Sequence, residues 1–165
     1  LMRASRNMLA ACPSARLVFA GDGDLGLYKA IARELGIADR CCFLGWVTGE
    51  DKEELFAQSG IYCLPSKNEA MPMSVMEAMS HGVPVISSRV GGVPQLIEDG
   101  VDGLLMDVDD VEGLSSLLLR LASSSELRGE IGLAGRRKIE SKFSIHAAIE
   151  GLVDIYQGLY EEAHA

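Results

Sequence analysis

IYCLPSKNEAMPMSVMEAMSHGVPVIS, residues 61–87, is the stretch that decides the fold. It opens on a short apolar run (Ile61–Leu64), breaks at Pro65-Ser66 into a polar loop, reads as a helix over 73–81, and closes on a second apolar run (Pro84–Ser87). Two such runs joined through a helix make a strand–helix–strand unit, because parallel neighbours cannot be joined by a tight turn. Both runs are continuous rather than alternating, which predicts strands covered on both faces.

The same alternation extends outward. Apolar runs at 16–20 (RLVFA), 41–44 (CCFL) and 103–106 (GLLM) read as further strands, and segments 25–36, 50–58 and 110–122 as the helices between and after them. Thr48 is placed to cap the second of these helices, with Asp51 three residues on as a capping-box carboxylate. After Asp107 the strands stop, and 110–122, 125–140 and 144–161 read as consecutive helices. The last carries Ile145, Ile149, Leu152, Ile155, Tyr156 and Leu159 along one face. The fold class expected is α/β: a Rossmann-like parallel sheet with helices on both faces and a helical C-terminal end. Residues 1–11 read as a helix with no strand ahead of it, whereas a parallel sheet normally leads with one. A single domain spanning residues 1–165, with its first strand missing, is the organisation expected.

Composition removes several function classes. The chain has 15 Lys and Arg against 24 Asp and Glu, a formal net charge of −9. A nucleic-acid surface is built from clustered cations, and the one dense basic run here is Arg136-Arg137-Lys138. Nucleic acid is therefore not an expected partner. Cysteines 12, 41, 42 and 63 lack the CxxC spacing of a zinc or redox centre and are expected as buried small hydrophobes in a reducing compartment. No uninterrupted apolar stretch approaches the roughly 20 residues of a membrane span. The expectation is a cytoplasmic protein without a transmembrane segment and with no metal site.

The loop and helix of the opening stretch lie past a strand's carboxyl end, where open α/β sheets bind ligands. Amides at the helix start, about Met73 to Val75, lack intrahelical partners and suit an anion. Glu69 in the loop and Glu77 one turn into the helix flank that start. A carboxylate accepts hydrogen bonds from a vicinal diol, so each is a candidate sugar or ribose clamp. Taken alone, such a pair reads equally as solvated surface. Glycine-bearing loops follow the other runs: Gly21-Asp22-Gly23-Asp24, Gly45-Trp46-Val47, and Val90-Gly91-Gly92-Val93. Together they suggest a lined cleft; singly, each is a tight turn. His81 reads as a helix C-terminal cap ahead of Gly82 rather than as a base.

In order, the blocks GDGD (21–24), FLGWV (43–47), LPS (64–66), the Glu69–seven–Glu77 segment with AMP inside it, EAMSHGVPVI (77–86), VGGVPQLI (90–97) and DGVDGLL (99–105) run nearly the length of the chain. In these blocks the chain resembles the C-terminal, donor-binding domain of family-4 GT-B retaining glycosyltransferases. The resemblance implies transfer of a hexosyl group from a UDP-, GDP- or ADP-sugar, without a metal cofactor, to an acceptor held by an N-terminal domain that residues 1–165 lack. It also implies work in polysaccharide, lipopolysaccharide or glycolipid synthesis, at the cytoplasmic face of the membrane or in the cytoplasm, and leaves room for peripheral membrane association through the other half.

Carried onto this sequence, the resemblance gives Glu69 the catalytic place beside the transferred sugar and Glu77 the ribose hydroxyls. Met71, Pro72, Met73 and Ser74 would line the sugar and diphosphate, Pro72 through its carbonyl alone. Trp46 and Val47 would border the base, and Gly21 and Gly23 would let the first loop approach. The family's Arg and Lys for the leaving phosphate sit in an RxxxxKG-type segment upstream of residue 1. None of Arg3, Arg6 or Lys29 matches it, so residues 1–165 alone are expected to be inactive. Gln95 stands where the family often has Glu, Ala70 where it has Gly, and Met71 where it has Phe or Leu. Two other readings stay open: a non-catalytic nucleotide- or partner-binding domain, and an isomerase of the sugar-nucleotide 2-epimerase type.

Overall fold

The computed structural model describes residues 1–164. Strands β1 (Leu17–Ala20), β2 (Cys41–Gly45), β3 (Tyr62–Leu64), β4 (Val85–Ser88) and β5 (Leu104–Met106) fall within a residue of the five apolar runs. Helices α1 (Ser5–Ala11), α2 (Leu25–Glu34), α3 (Gly49–Gln58), α4 (Met73–Ser80), α5 (Val93–Leu96), α6 (Val111–Ser123), α7 (Ser125–Lys138) and α8 (Ile145–His164) separate or follow them. Helix α5, a single turn, falls where the sequence suggested only a loop. All strand pairs are parallel. The strands form two sheets instead of one, β1–β2 and β3–β4–β5.

In the larger sheet, successive residues feed two cores. Ile86, Leu104 and Met106 join Met8 and Leu9 of α1 and Leu114, Leu118 and Leu121 of α6 on one face. Val85 and Leu105 join Phe56, Val75, Ala78, Met79 and Leu96 from α3, α4 and α5 on the other. This is the period-2 geometry of a strand with helices on both faces, and every residue of β4 and β5 is buried.

The smaller sheet departs from that expectation. Phe19 and Phe43 stack at 5.0 Å on the face that shares a core with α1 and α6. Val18 and Leu44, on the other face, are 45% and 47% exposed. The Arg16–Ala20 and Cys41–Leu44 runs were expected to be covered twice and are covered once, since no helix of the described chain packs on their outer face.

Two smaller expectations fail. Thr48 stands at the N-cap of α3 but its side chain makes no capping bond, and Gly49, the first residue of the helix, has a left-handed φ of 60°. Asp24, Asp110 and Ser124 do cap α2, α6 and α7. Cys42 is exposed, since it lies on the open face of β2, Cys12 and Cys41 are only half-buried, and Cys63 keeps part of its surface open although its thiol lies in the interior. The apolar stripe expected on the last helix is present in α8, and Ile145, Ile149, Leu152, Ile155, Tyr156 and Leu159 are all exposed.

Candidate functional site

Four loops leave the carboxyl ends of β1 to β4. Those after β1 and β2 are tied together where the Gly21 N–H donates to the Gly45 carbonyl (2.6 Å). Gly21 and Gly23 have φ of 134° and 149°, a region in which any other residue would be strained. Trp46, just past β2, is 72% exposed, and Val47 beside it is half-buried.

The loop after β3 is held by the loop after β4. The Gly92 N–H donates to the Ala70 carbonyl (2.7 Å). A Cβ at Gly91 would lie 1.5 Å from the Glu69 carbonyl oxygen, and one at Gly92 would lie 2.2 Å from that of Ala70. Two glycine backbones are thus laid directly on the Glu69-Ala70 backbone, and only residues without side chains permit it. This contact fixes where Glu69 leaves the loop.

Pro72 then ends the loop in an extended conformation (φ −73°, ψ 111°) and α4 begins. Its carbonyl accepts from the amides of Val75 (3.1 Å) and Met76 (3.4 Å). The open amides expected at Met73 to Val75 therefore narrow to Met73 and Ser74, which have no partner among the described hydrogen bonds, and no side chain caps this helix. Met71 and Met73 are exposed, Pro72 is buried, and Ser74 is half-buried.

Tyr62 of β3 lies beneath this helix start. Burial pushes its phenol above the ordinary value; the carboxylates of Glu69 and Glu77 push the same way, and the nearby Ser74 hydroxyl opposes them. Glu69 and Glu77 thus both lie near enough to this phenol to affect it. The Glu77 carboxylate is one-third exposed and accepts from Lys52 Nζ of α3 at 2.7 Å.

His81 closes α4 as expected of a cap. Its Nδ1 lies 2.8 Å from the Glu77 carbonyl, and Gly82 follows at φ 71°. Its Nε2 reaches the Glu53 carboxylate of α3 at 2.8 Å. The structure thus gathers Glu69, Met71, Pro72, Met73, Ser74 and Glu77 at the α4 start, and Gly21, Gly23, Trp46 and Val47 at the tips of β1 and β2. Tyr62 and Lys52 were not singled out from the sequence. Tyr62 looked like one more apolar strand residue, and Lys52 like one cation in the acidic run GEDKEE, whose partner is 25 residues away.

The family model for glycosyl transferases group 1 matches residues 1–138. The sulfoquinovosyl transferase of Arabidopsis thaliana is 33% identical over 146 residues, which is 87% of this chain and 28% of that protein. A D-inositol 3-phosphate glycosyltransferase of Saccharomonospora viridis is 32% identical over 167 residues, 95% of this chain and 38% of that protein. The chain spans about a third of the length of these curated relatives. Among solved structures, sucrose-phosphate synthase of Thermosynechococcus elongatus aligns with a TM-score of 0.81 at 22% identity, covering 98% of this chain and 42% of that one. The C-terminal domain of a group 1 glycosyl transferase of Francisella tularensis aligns at 0.79 and 23%, covering 87% and 77%. HepE of Anabaena, solved in complex with UDP-glucose, aligns at 0.79 and 22%, covering 95% and 44%. At these identities the structural likeness is one of fold.

Proposed function

From the premise that this chain belongs to the glycosyl transferases group 1 family, we propose that it is the donor-gripping domain of a retaining hexosyltransferase. The donor is a UDP-, GDP- or ADP-sugar, and the acceptor is held by polypeptide outside residues 1–165. The observation that carries the reading is the α4 start, where the Met73 and Ser74 amides have no partner among the described hydrogen bonds, with Glu69 in the loop before it and Glu77 one turn into the helix. The chain's share of its curated relatives' length supports the division of labour.

In this reading Glu77 accepts from the ribose hydroxyls, and Glu69 stands beside the transferred sugar. Met71, Pro72, Met73 and Ser74 line the sugar and diphosphate. Trp46 and Val47 border the base, and Gly21 and Gly23 bring the first loop close without a side chain in the way. As the glycosidic bond breaks, negative charge gathers on the leaving diphosphate. Amides already aimed there stabilise the transition state more than the ground state. A helix start contributes about 0.3–1 kcal/mol to an anion, up to about 2 in sheltered geometry, which is too little for a diphosphate. Cations from elsewhere in the full polypeptide complete the site, so residues 1–165 alone do not transfer sugar. No metal is needed, and the reaction belongs to the cytoplasm or the cytoplasmic membrane face, in the synthesis of a polysaccharide, lipopolysaccharide or glycolipid.

The test is calorimetric titration of the full-length polypeptide with UDP-, GDP- and ADP-sugars. One class is expected to bind, with Glu77→Gln weakening it about tenfold, the loss of one charge-assisted hydrogen bond. Proton NMR of the product is expected to show the donor's anomeric configuration kept. Absence of binding by all three classes, or an inverted product, overturns the reading.

A further inference from the structure

Lys52 is the only cation on α3, among Glu50, Asp51, Glu53 and Glu54. Its ammonium nonetheless turns off its own helix to Glu77 on α4, at 2.7 Å, with both side chains one-third exposed. The hydrogen bond to Glu77 raises the Lys52 ammonium above its ordinary value. The seam between the two helices is fixed at neighbouring points as well: His81 reaches Glu53 at 2.8 Å, and the Phe56 and His81 rings stack at 5.3 Å. Lys52, Glu53 and Phe56 are one turn of α3, so the lysine's root is anchored beside the residue it holds.

An ion pair this accessible to water adds little to folding. Its effect is on geometry. A carboxylate offers two oxygens and about four lone-pair directions, and Lys52 occupies one of them on Oε1. The pair restrains the Glu77 rotamer, and Oε2 has no partner among the described hydrogen bonds. A side chain restrained before its ligand arrives loses less freedom on binding.

We infer that Lys52 is the positioning residue of a ribose-binding carboxylate: it holds Oε1 of Glu77 so that Oε2 is presented to the vicinal hydroxyls of a nucleoside diphosphate. This rests on the ribose role given to Glu77 above. Lys52 acts through Glu77 and not on the phosphate or the base, so its contribution depends on the hydroxyls being there.

The experiment titrates the full-length polypeptide, wild type and Lys52→Met, with UDP, GDP and ADP and with their 2′-deoxy counterparts, in a calorimeter. For the nucleotide that binds, the wild type is expected to prefer the ribose form about tenfold. Lys52→Met is expected to weaken the ribose form by about tenfold and the deoxy form by less than about twofold, and Lys52→Arg to restore most of the loss. Equal weakening of both forms makes Lys52 a merely structural contact and overturns the inference, as does no weakening of either. A wild type that does not distinguish ribose from deoxyribose overturns the ribose role of Glu77 itself. If Lys52→Met loses its helical circular dichroism, Lys52→Gln is judged by the same ratio of losses.

Discussion

Strands β4 and β5 bury every residue, β1 buries only Leu17, and β2 buries none, although all four read as the same kind of short apolar run. The difference lies in what covers them. β4 and β5 run between a core with α1 and α6 and a core with α3, α4 and α5, whereas β1 and β2 have a core on one face only. A strand's hydrophobicity tells that it can be buried; the helices around it decide whether it is. The three-stranded sheet holds the Glu69 and Glu77 loop, and the half-covered sheet holds the glycine loop and Trp46.

The widest gap between the halves is expected on truncation. Ile86→Ala, in β4, should cost about 4 kcal/mol, since a fully buried isoleucine leaves a cavity that its neighbours cannot close. Leu44→Ala, in β2, should stay within about 0.5 kcal/mol by chemical denaturation. Equal costs would mean that the outer face of β2 is covered in solution, and the contrast would be lost. Next comes Gly91→Ala: with φ 52° and the Glu69 carbonyl in the way, it should destabilise by about 3 kcal/mol and weaken nucleotide binding with it. Retained binding would show that the loop after β4 does not set the position of Glu69.

A smaller effect is expected at alkaline pH. Burial pushes the Cys63 thiol of β3 up to about 12 from an ordinary value of 9.0. The unfolded thiol ionises first, so the stabilising difference is whole below pH 9 and declines as pH rises from there towards 12, by about 1.4 kcal/mol per pH unit at most. Cys63→Ala should flatten that slope in melts recorded across the range. The smallest contrast is between caps. Asp110→Ala should cost α6 about 1 kcal/mol, because its carboxylate accepts from the Gly113 amide at 2.8 Å. Thr48→Ala should cost α3 almost nothing, because no such bond exists there.

The position of each strand was legible in the sequence because a run such as PVIS or GLLM, bounded by glycine or proline, has few other places to go. The carboxyl-edge loops were legible for the same reason, whereas Glu69 and Glu77 alone read equally as solvated surface and took their expected roles from the resemblance. Burial on the second face was not legible, since RLVFA and PVIS carry no mark of how many helices will cover them. Helix α5 was missed because four residues with Pro94 among them give no period to read. Lys52 escaped, and Gly91 was singled out only as one residue of a glycine loop, for a shared reason. Each matters through a contact with a residue more than 20 positions away, Glu77 and Glu69 respectively, and spacing along the chain does not encode such meetings.

The chain holds a single tryptophan, and the fold sets its indole in open water at the rim of β2. Excited at the red edge, where tyrosine does not absorb, residues 1–165 therefore emit from one solvated fluorophore at a known address. A purine or pyrimidine ring arriving against that indole should dim it, and the arrival can be timed in a stopped-flow cuvette without attaching a dye.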